Sequence, residues 1–282
     1  MPALPRRPNE GILRLGLIRR GSQTVLRDCY AHVPLRVLRP VYLDDTGTAT
    51  LYVLNPCGGV VGGDTYTMDV TLAHQAQVYL TTPSATKLYA TEATPADQRI
   101  TFRLETGAVL SYLPEQTIPF AQSAFHQHIS VHLADGAYIF LGDILAPGRL
   151  ARQEIFAYRE YHTQLSVTDA RGDIVLLEHT RLQPRHQDLR GPGLLEGYFY
   201  FGTFYVLFGG GSLALALVDA LHHLLAERRP LLVGSATVSD AGGIAVRLLS
   251  RDHMSMRQTL YDIWHDLYQQ VLGQPAPRRR TI

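Results

Sequence analysis

The sequence predicts a mainly β protein with many short strands and two α-helices in its C-terminal third. First, short runs of β-branched and aromatic residues are separated by Gly, Pro or Asp about every ten residues, from residue 11 to about residue 184. Second, two segments after residue 212 lack internal Gly and Pro and are typical of helices. Third, 46% hydrophobic and 18% charged residues indicate an ordinary globular chain that can bury a core without disulfides.

The predicted strands show alternation or short apolar runs, which suit a pleated and half-buried surface. In chain order they cover residues 13–17, 70–72, 76–82, 100–104, 109–113, 129–133, 138–141, 174–177, 231–237 and 244–249. The last two flank a predicted turn at 240–243. No sequence repeat of fixed length is present, so periodicity alone does not predict a regular solenoid.

The two predicted helices occupy residues 213–228 and 254–272. The first is rich in Ala and Leu and apolar almost all round, with Ser212 as a candidate N-cap and Pro230 beyond its end. In the second, Leu260, Ile263, Trp264, Leu267 and Val271 share one face. We therefore expect one β-rich domain over 11–273, a flexible N-terminus over 1–10, and a flexible Pro/Arg-rich tail over 274–282.

Composition and charge exclude several functional classes. A formal net charge of +1 gives no general attraction to nucleic acid or to anionic lipid. The two cysteines, Cys29 and Cys57, form no disulfide framework and no CxxC pair. The N-terminus lacks the apolar core of a signal peptide, and the longest apolar stretch is too short to cross a bilayer. We expect a cytoplasmic protein with neither nucleic acid nor membrane as a partner.

Four glycines lie within the run 55–64 (NPCGGVVGGD), which raises the question of a phosphate-binding loop. Such a loop needs Gly-Lys-Ser/Thr at the start of a helix. Here Asp64 follows the glycines, and a strand pattern follows Asp64. The run therefore predicts a tight corner between strands, where glycine permits positive φ angles and close backbone approach.

Three further motifs follow the glycine run in order. They are 81–89 (TTPSATKLY), 113–120 (LPEQTIPF) and the pair Gly148-Arg149 with Glu154 and Phe156. Together the four motifs resemble the urease accessory protein D family, also called the H family, most closely over 52–156. The motif residues are Gly58, Gly59, Gly62, Gly63, Thr86, Lys87, Tyr89, Pro114, Gln116, Gly148 and Arg149. Cys57 stands where the family usually has a proline, and Gln153 where it often has a glycine.

The resemblance implies a β-helical, layered body with two helices and no catalytic chemistry of its own. It implies a scaffold that binds urease apoprotein and the F-type accessory protein, which recruits the G-type GTPase for nickel insertion. GTP hydrolysis then belongs to the partner. No tightly bound cofactor is expected, although Ni²⁺ can bind transiently, and a homodimer within the complex is an open alternative.

Two groups of residues are candidates for metal contact. Cys57, Asp64, Glu115 and Asp143 offer a thiolate and carboxylates that could pass Ni²⁺ along a polar path. The alternative for Glu115 and Asp143 is backbone hydrogen bonding at turns. The histidines His126, His128 and His132 share one strand face and form a weaker candidate; the favoured alternative is that they face water.

The role of Lys87 and two alternative functions remain open from the sequence. Lys87, the only lysine, either pairs with Asp64 or Glu115 or is solvated. A stand-alone nickel-storage protein would bind the metal tightly. A hydrolase or transferase would use the glycine run with Glu115 and Asp143 as acid and base, and it requires a cleft that holds a carboxylate pair.

Overall fold

The structure, a computed structural model, describes residues 10–91, 94–210, 215–239 and 242–279. Its strands are β1 (Glu10–Arg20), β2 (Gln23–His32), β3 (Arg36–Val37), β4 (Ala49–Leu54), β5 (Thr65–Leu72), β6 (Gln77–Thr81), β7 (Thr86–Leu88), β8 (Ala96–Leu104), β9 (Val109–Tyr112), β10 (Thr117–Pro119), β11 (Ala124–Leu133), β12 (Tyr138–Leu145), β13 (Glu160–Thr168), β14 (Ile174–Leu182), β15 (Tyr200–Phe208), β16 (Leu232–Val238) and β17 (Ile244–Ser250). The helices are α1 (Leu215–Ala226) and α2 (His253–Leu272), with a 3-10 turn over Leu150–Arg152.

The strands form two sheets that face each other. The first has seven strands in the order β14-β13-β11-β8-β5-β1-β2. The second has ten, with β16-β17-β15-β12-β9-β6-β4-β3 along its main path and β10 and β7 beside β12. The chain passes from one sheet to the other as it goes from β4 to β5, from β6 to β8, from β9 to β11 and from β12 to β13. The mainly β, layered and solenoid-like fold class is thereby confirmed.

Most inner strands pair in parallel because each coil of the chain lies beside the preceding one. In the seven-stranded sheet β1, β5, β8, β11 and β13 are parallel neighbours, and in the ten-stranded sheet β4, β6, β9 and β12 are. Alternate side chains point between the sheets, since successive residues of a strand face opposite sides. Leu13, Leu15 and Leu17 of β1 are accordingly buried in the core between the two sheets.

Helix α2 covers the outer face of the ten-stranded sheet. Its predicted apolar face is buried there, including Leu260, Ile263, Trp264 and Leu267. The Trp264 indole N–H donates to Ser111 Oγ at 3.0 Å, so the polar atom of this fully buried ring is satisfied. The helix begins after Asp252, whose carboxylate accepts the Ser255 N–H, and ends at Gly273 with a φ of 67°. The prediction for 254–272 is confirmed.

Helix α1 buries only one side. Val218, Leu221 and Leu225 are buried, whereas Leu215 is 72% exposed. The all-round apolar character of this segment therefore does not produce all-round burial. The candidate N-cap Ser212 and residues 240–241 of the predicted turn lie outside the described residues. No helix within the described ranges is both long and apolar enough to span a bilayer.

The two chain ends differ in what the structure describes. Residues 1–9 of the predicted flexible N-terminus lie outside the described ranges, and Glu10 already belongs to β1. The tail was predicted to be flexible from residue 274, yet residues up to 279 pack on the body. Ala276 is buried, and the Arg279 guanidinium lies 3.7 Å from the centroid of the Tyr261 ring. Residues 280–282 are outside the described part.

Candidate functional site

The glycine run forms the corner between β4 and β5. The Asp64 side chain is buried, and its Oδ2 accepts the Val61 N–H at 3.0 Å and the Tyr66 hydroxyl at 2.9 Å. The Asn55 amide donates to the Gly59 carbonyl at 3.0 Å. These side chains replace backbone partners inside a tight loop, a common role for Asp and Asn. Asp64 therefore has a structural task whether or not it meets a metal.

Two of the glycines allow close backbone approach. A Cβ atom on Gly59 would lie 2.5 Å from the Lys87 carbonyl, and one on Gly62 would lie 1.8 Å from Thr91 Oγ1. This close approach lets the loop pack against β7, and the Val60 N–H donates to the Lys87 carbonyl at 2.8 Å. The first motif thus packs directly on the second; Gly58 and Gly63, both at φ +83°, complete the turn.

The third and fourth motifs pack beside the first two. Strand β10 pairs with β7, with Thr117 opposite Thr86, and the Thr86 N–H donates to the Gln116 carbonyl at 2.9 Å. The Phe120 ring packs against Tyr89, with ring centroids 5.1 Å apart, and the Arg149 guanidinium lies 4.0 Å from its centroid. Arg149 also forms a two-fold hydrogen-bonded ion pair with Glu154. The four motifs, dispersed in sequence, are therefore neighbours in space.

The candidate residues around these motifs do not form one metal site. Cys57 is exposed on the loop surface. Glu115 is bound through both carboxylate oxygens by Arg257 of α2, at 2.8 and 3.2 Å. Lys87 is exposed, and neither of the partners predicted for it is placed against it: Asp64 is engaged within its own loop and Glu115 by Arg257. The solvated alternative for Lys87 is the one that the structure supports.

The ion pair of Glu115 and Arg257 connects the third motif to α2. Their side chains are 20% and 24% exposed, so the pair is only partly screened by water. In a double-mutant cycle with Glu115→Gln and Arg257→Met, we expect a coupling energy of about 1 kcal/mol from urea unfolding. The exposed pair of Arg27 and Asp28, at 59% and 64%, is the control and should give a coupling of about 0.3 kcal/mol or less. Equal couplings would show that α2 is not anchored electrostatically.

Asp143 lies in a cavity of about 110 Å³ that is lined by strands of both sheets. Thr86 and Pro114 of the motifs also line it. Opposite them runs a row of polar side chains that pair in register across four strands of the seven-stranded sheet: Gln98, Gln127, Thr163 and Thr180. The Gln127 amide donates to Gln98 Oε1 at 2.9 Å. Inward strand faces are normally apolar, so a row of polar side chains across four strands marks a candidate path for an ion or a polar ligand.

The electrostatics of Asp143 follow from its surroundings. Burial raises the pKa of its carboxyl above the usual 3.8, and the Tyr161 hydroxyl, which donates to Oδ2 at 3.2 Å, partly opposes that rise. The other carboxylate on the cavity wall, Glu178, is engaged by Arg247 at 2.5 Å. Asp143 is consequently the carboxylate in the cavity without a cationic side chain against it among the described residues.

The hydrolase alternative requires a carboxylate pair, and the structure contradicts the proposed one. Glu115 lines a second cavity together with His253, Arg257 and Arg279. Asp143 lines the first. Glu115 is thus paired with Arg257 and lines a different cavity from Asp143, so the two do not form the carboxylate pair in one cleft that the hydrolase alternative requires.

The three candidate histidines separate into two groups. His126 and His128 are half-buried and approach the His162 ring of β13, at centroid distances of 5.1 and 6.0 Å. His132 is exposed, and its Nδ1 lies 2.9 Å from Thr168 Oγ1. Sequence reasoning missed His162 because β13 was not predicted, although the alternation of Leu165 and Val167 within it is a strand signal.

Comparison with known proteins gives one consistent result. The family model described as UreD urease accessory protein matches residues 9–281. Proteins named Urease accessory protein UreD from Lachnoclostridium phytofermentans and Haloarcula marismortui are 33% and 32% identical over 91% and 96% of this chain, and 92% and 90% of their own. A protein named Urease accessory protein UreD 2 from Streptomyces griseus is 33% identical over 96% of this chain and 93% of its own. The motif resemblance is confirmed: the chain belongs to the UreD family of urease accessory proteins.

Proposed function

We propose that this chain is a non-catalytic scaffold in urease maturation, acting in the cytoplasm. It binds urease apoprotein together with F-type and G-type accessory proteins, and the G-type partner hydrolyses GTP during nickel insertion. The observation that carries the proposal is the family match over residues 9–281. The curated relatives are named accessory proteins. Glu115 and Asp143 line different cavities, which argues against the hydrolase alternative based on these two residues.

The cavity suits the passage of Ni²⁺ as cargo. Its polar lining consists of Asp143, the Arg247-paired carboxylate of Glu178, and hydroxyl, amide and phenol groups, which bind nickel more weakly than imidazole or thiolate. Weak and exchangeable binding favours transit over storage in this cavity. Asp143 is the residue to which we assign the passing ion.

The partner surface is proposed to include the start of α2 and the segment after α1. Leu231 and Met254 are 52% and 68% exposed there. The Arg251 N–H donates to the Leu231 carbonyl at 3.1 Å, which places the two segments side by side. Exposed apolar side chains at one place are typical of protein interfaces.

The test is co-expression of the tagged full chain with the F-type protein and the urease subunits, followed by affinity purification. We expect co-purification of both partners, and about tenfold less of the F-type protein with Leu231→Glu/Met254→Glu. The control, Ile174→Glu/Leu177→Glu, changes two side chains that are 65% and 57% exposed on β14 and should retain both partners. Absence of both partners from a folded wild-type chain would overturn the scaffold function, and equal retention by the two variants would overturn the proposed surface.

A further inference from the structure

A cluster of imidazoles and one carboxylate lies on the outer face of the seven-stranded sheet. His126 of β11 is opposite His162 of β13, and Glu160 precedes His162 by two residues, so all three side chains point to the same side. The inward neighbours of His126, Phe125 and Gln127, line the cavity instead. The cluster is therefore on the other side of the sheet from the cavity that holds Asp143.

The separation of His126 from Glu160 suits two ligands of one metal ion better than a hydrogen bond. One potential ligand atom from each of His126, Glu160 and His162 lies within 4.8 Å of the others. His126 Nε2 is 3.7 Å from Glu160 Oε2, too far for a hydrogen bond. Two atoms bound to one tetrahedral ion at about 2.0–2.1 Å lie roughly 3.3 Å apart. A small contraction would bring these atoms to a shared ion.

Neighbouring side chains orient these potential ligands. Arg181 donates to Glu160 Oε1 at 3.0 Å, which orients the carboxylate and leaves Oε2 toward His126. His126 Nε2 is buried without a hydrogen-bond partner. His179 Nε2 lies 2.5 Å from His162 Nε2, and this hydrogen bond holds the His162 ring in place.

Solvated histidines are the competing account, favoured from the sequence alone. It explains His132, which is exposed, but it does not explain a buried, unpartnered nitrogen on His126. Two imidazoles that face one carboxylate form a mixed nitrogen and oxygen ligand set, which borderline divalent cations accept.

We propose that His126, His162 and Glu160 bind a divalent transition-metal cation such as Ni²⁺ or Zn²⁺ on the outer face of the seven-stranded sheet. His179 positions the His162 ring through their hydrogen bond, and Arg181 positions the carboxylate. Imidazole ligation distinguishes the site from one for Mg²⁺ or Ca²⁺, which prefer oxygen. Three protein ligands leave positions open for water or for a donor from another molecule, so the ion stays exchangeable. The inference does not depend on the proposed function.

The test is isothermal titration of the purified full chain, separately with Ni²⁺ and with Zn²⁺. We expect about one equivalent to bind at this site, and His126→Ala or His162→Ala to weaken it about 10- to 100-fold. His132→Ala, on the same strand but outside the cluster, should leave affinity unchanged. Circular dichroism verifies that each variant is folded.

Two outcomes would overturn the proposal: no binding of either ion by the wild-type chain, or equal affinities for wild type, His126→Ala and His162→Ala. Co-purification of urease and the F-type protein, measured on the same variants, should be unchanged, because the cluster lies away from α2. If the variants lose metal binding but still co-purify with urease and the F-type protein, the result supports the histidine site independently of the scaffold function. A failure of the scaffold function is detected separately, as missing partners in the wild-type experiment.

Discussion

Asp143→Asn is expected to make the protein more stable and less able to support urease activation. The substitution removes a carboxylate that is costly to ionise in the cavity, while the amide oxygen can still accept from Tyr161. It also removes the negative charge to which we assign the passing Ni²⁺, so urease activity in cells that express the whole gene set should fall about tenfold or more. Functional sites commonly carry such a stability cost.

The stability gain should depend on pH. Because burial raises the pKa of Asp143 above 3.8, the folded state holds this proton more tightly than the unfolded chain. The stabilising contribution of the group is full below pH 3.8 and is lost as pH rises through the raised pKa. Asn does not titrate, so the difference between variant and wild type should be smallest in acid and grow toward neutral pH. Urea unfolding across that range measures it.

The control for this experiment is Asp135→Asn, an exposed carboxyl in the turn before β12. It should change neither stability nor urease activation. A folded Asp143→Asn protein that activates urease as well as the wild type would remove Asp143 from the nickel path. A variant less stable than the wild type at neutral pH would show that the carboxylate is better satisfied than its burial indicates.

Gly148→Ala is expected to have the largest effect on folding, with a loss of about 4 kcal/mol or more. Gly148 has a φ of +134°, a conformation that is essentially restricted to glycine, and an added Cβ would lie 2.0 Å from the Glu154 carbonyl oxygen. Relief of that overlap requires backbone movement beside the Arg149–Glu154 ion pair and the contact of Arg149 with Phe120. A loss of this size approaches the total stability of many domains.

Gly172→Ala is the matched control, since Gly172 also has a positive φ, +86°, but a Cβ there would meet nothing within 4 Å. Backbone strain alone should cost about 1 kcal/mol. The two variants are compared by urea unfolding and by the soluble fraction after expression. Similar losses for both would mean that the loop at Gly148 relaxes freely and that the fourth motif does not fix it.

The sequence and the structure agree best where local patterns are long or strong. The helical spacing of apolar residues predicted α2 almost to its ends, because one face of that helix is buried continuously. β15, which crosses the middle of the ten-stranded sheet, was missed, since an apolar run such as YFGTFYVLF has no alternation to mark it. The late strands 231–237 and 244–249 were predicted within one residue of β16 and β17.

The sequence by itself determined the mainly β class, α2, the corner at the glycine run and, through four ordered motifs, the family. Only the tertiary structure decided the contacts that depend on register between coils of the chain: the polar row of the cavity, the pairing of Glu115 with Arg257, and the approach of His126 to His162. Glu115 and Arg257 are 142 positions apart. Local propensity acts over a few residues, whereas parallel strands are brought together by long connections that no short pattern specifies.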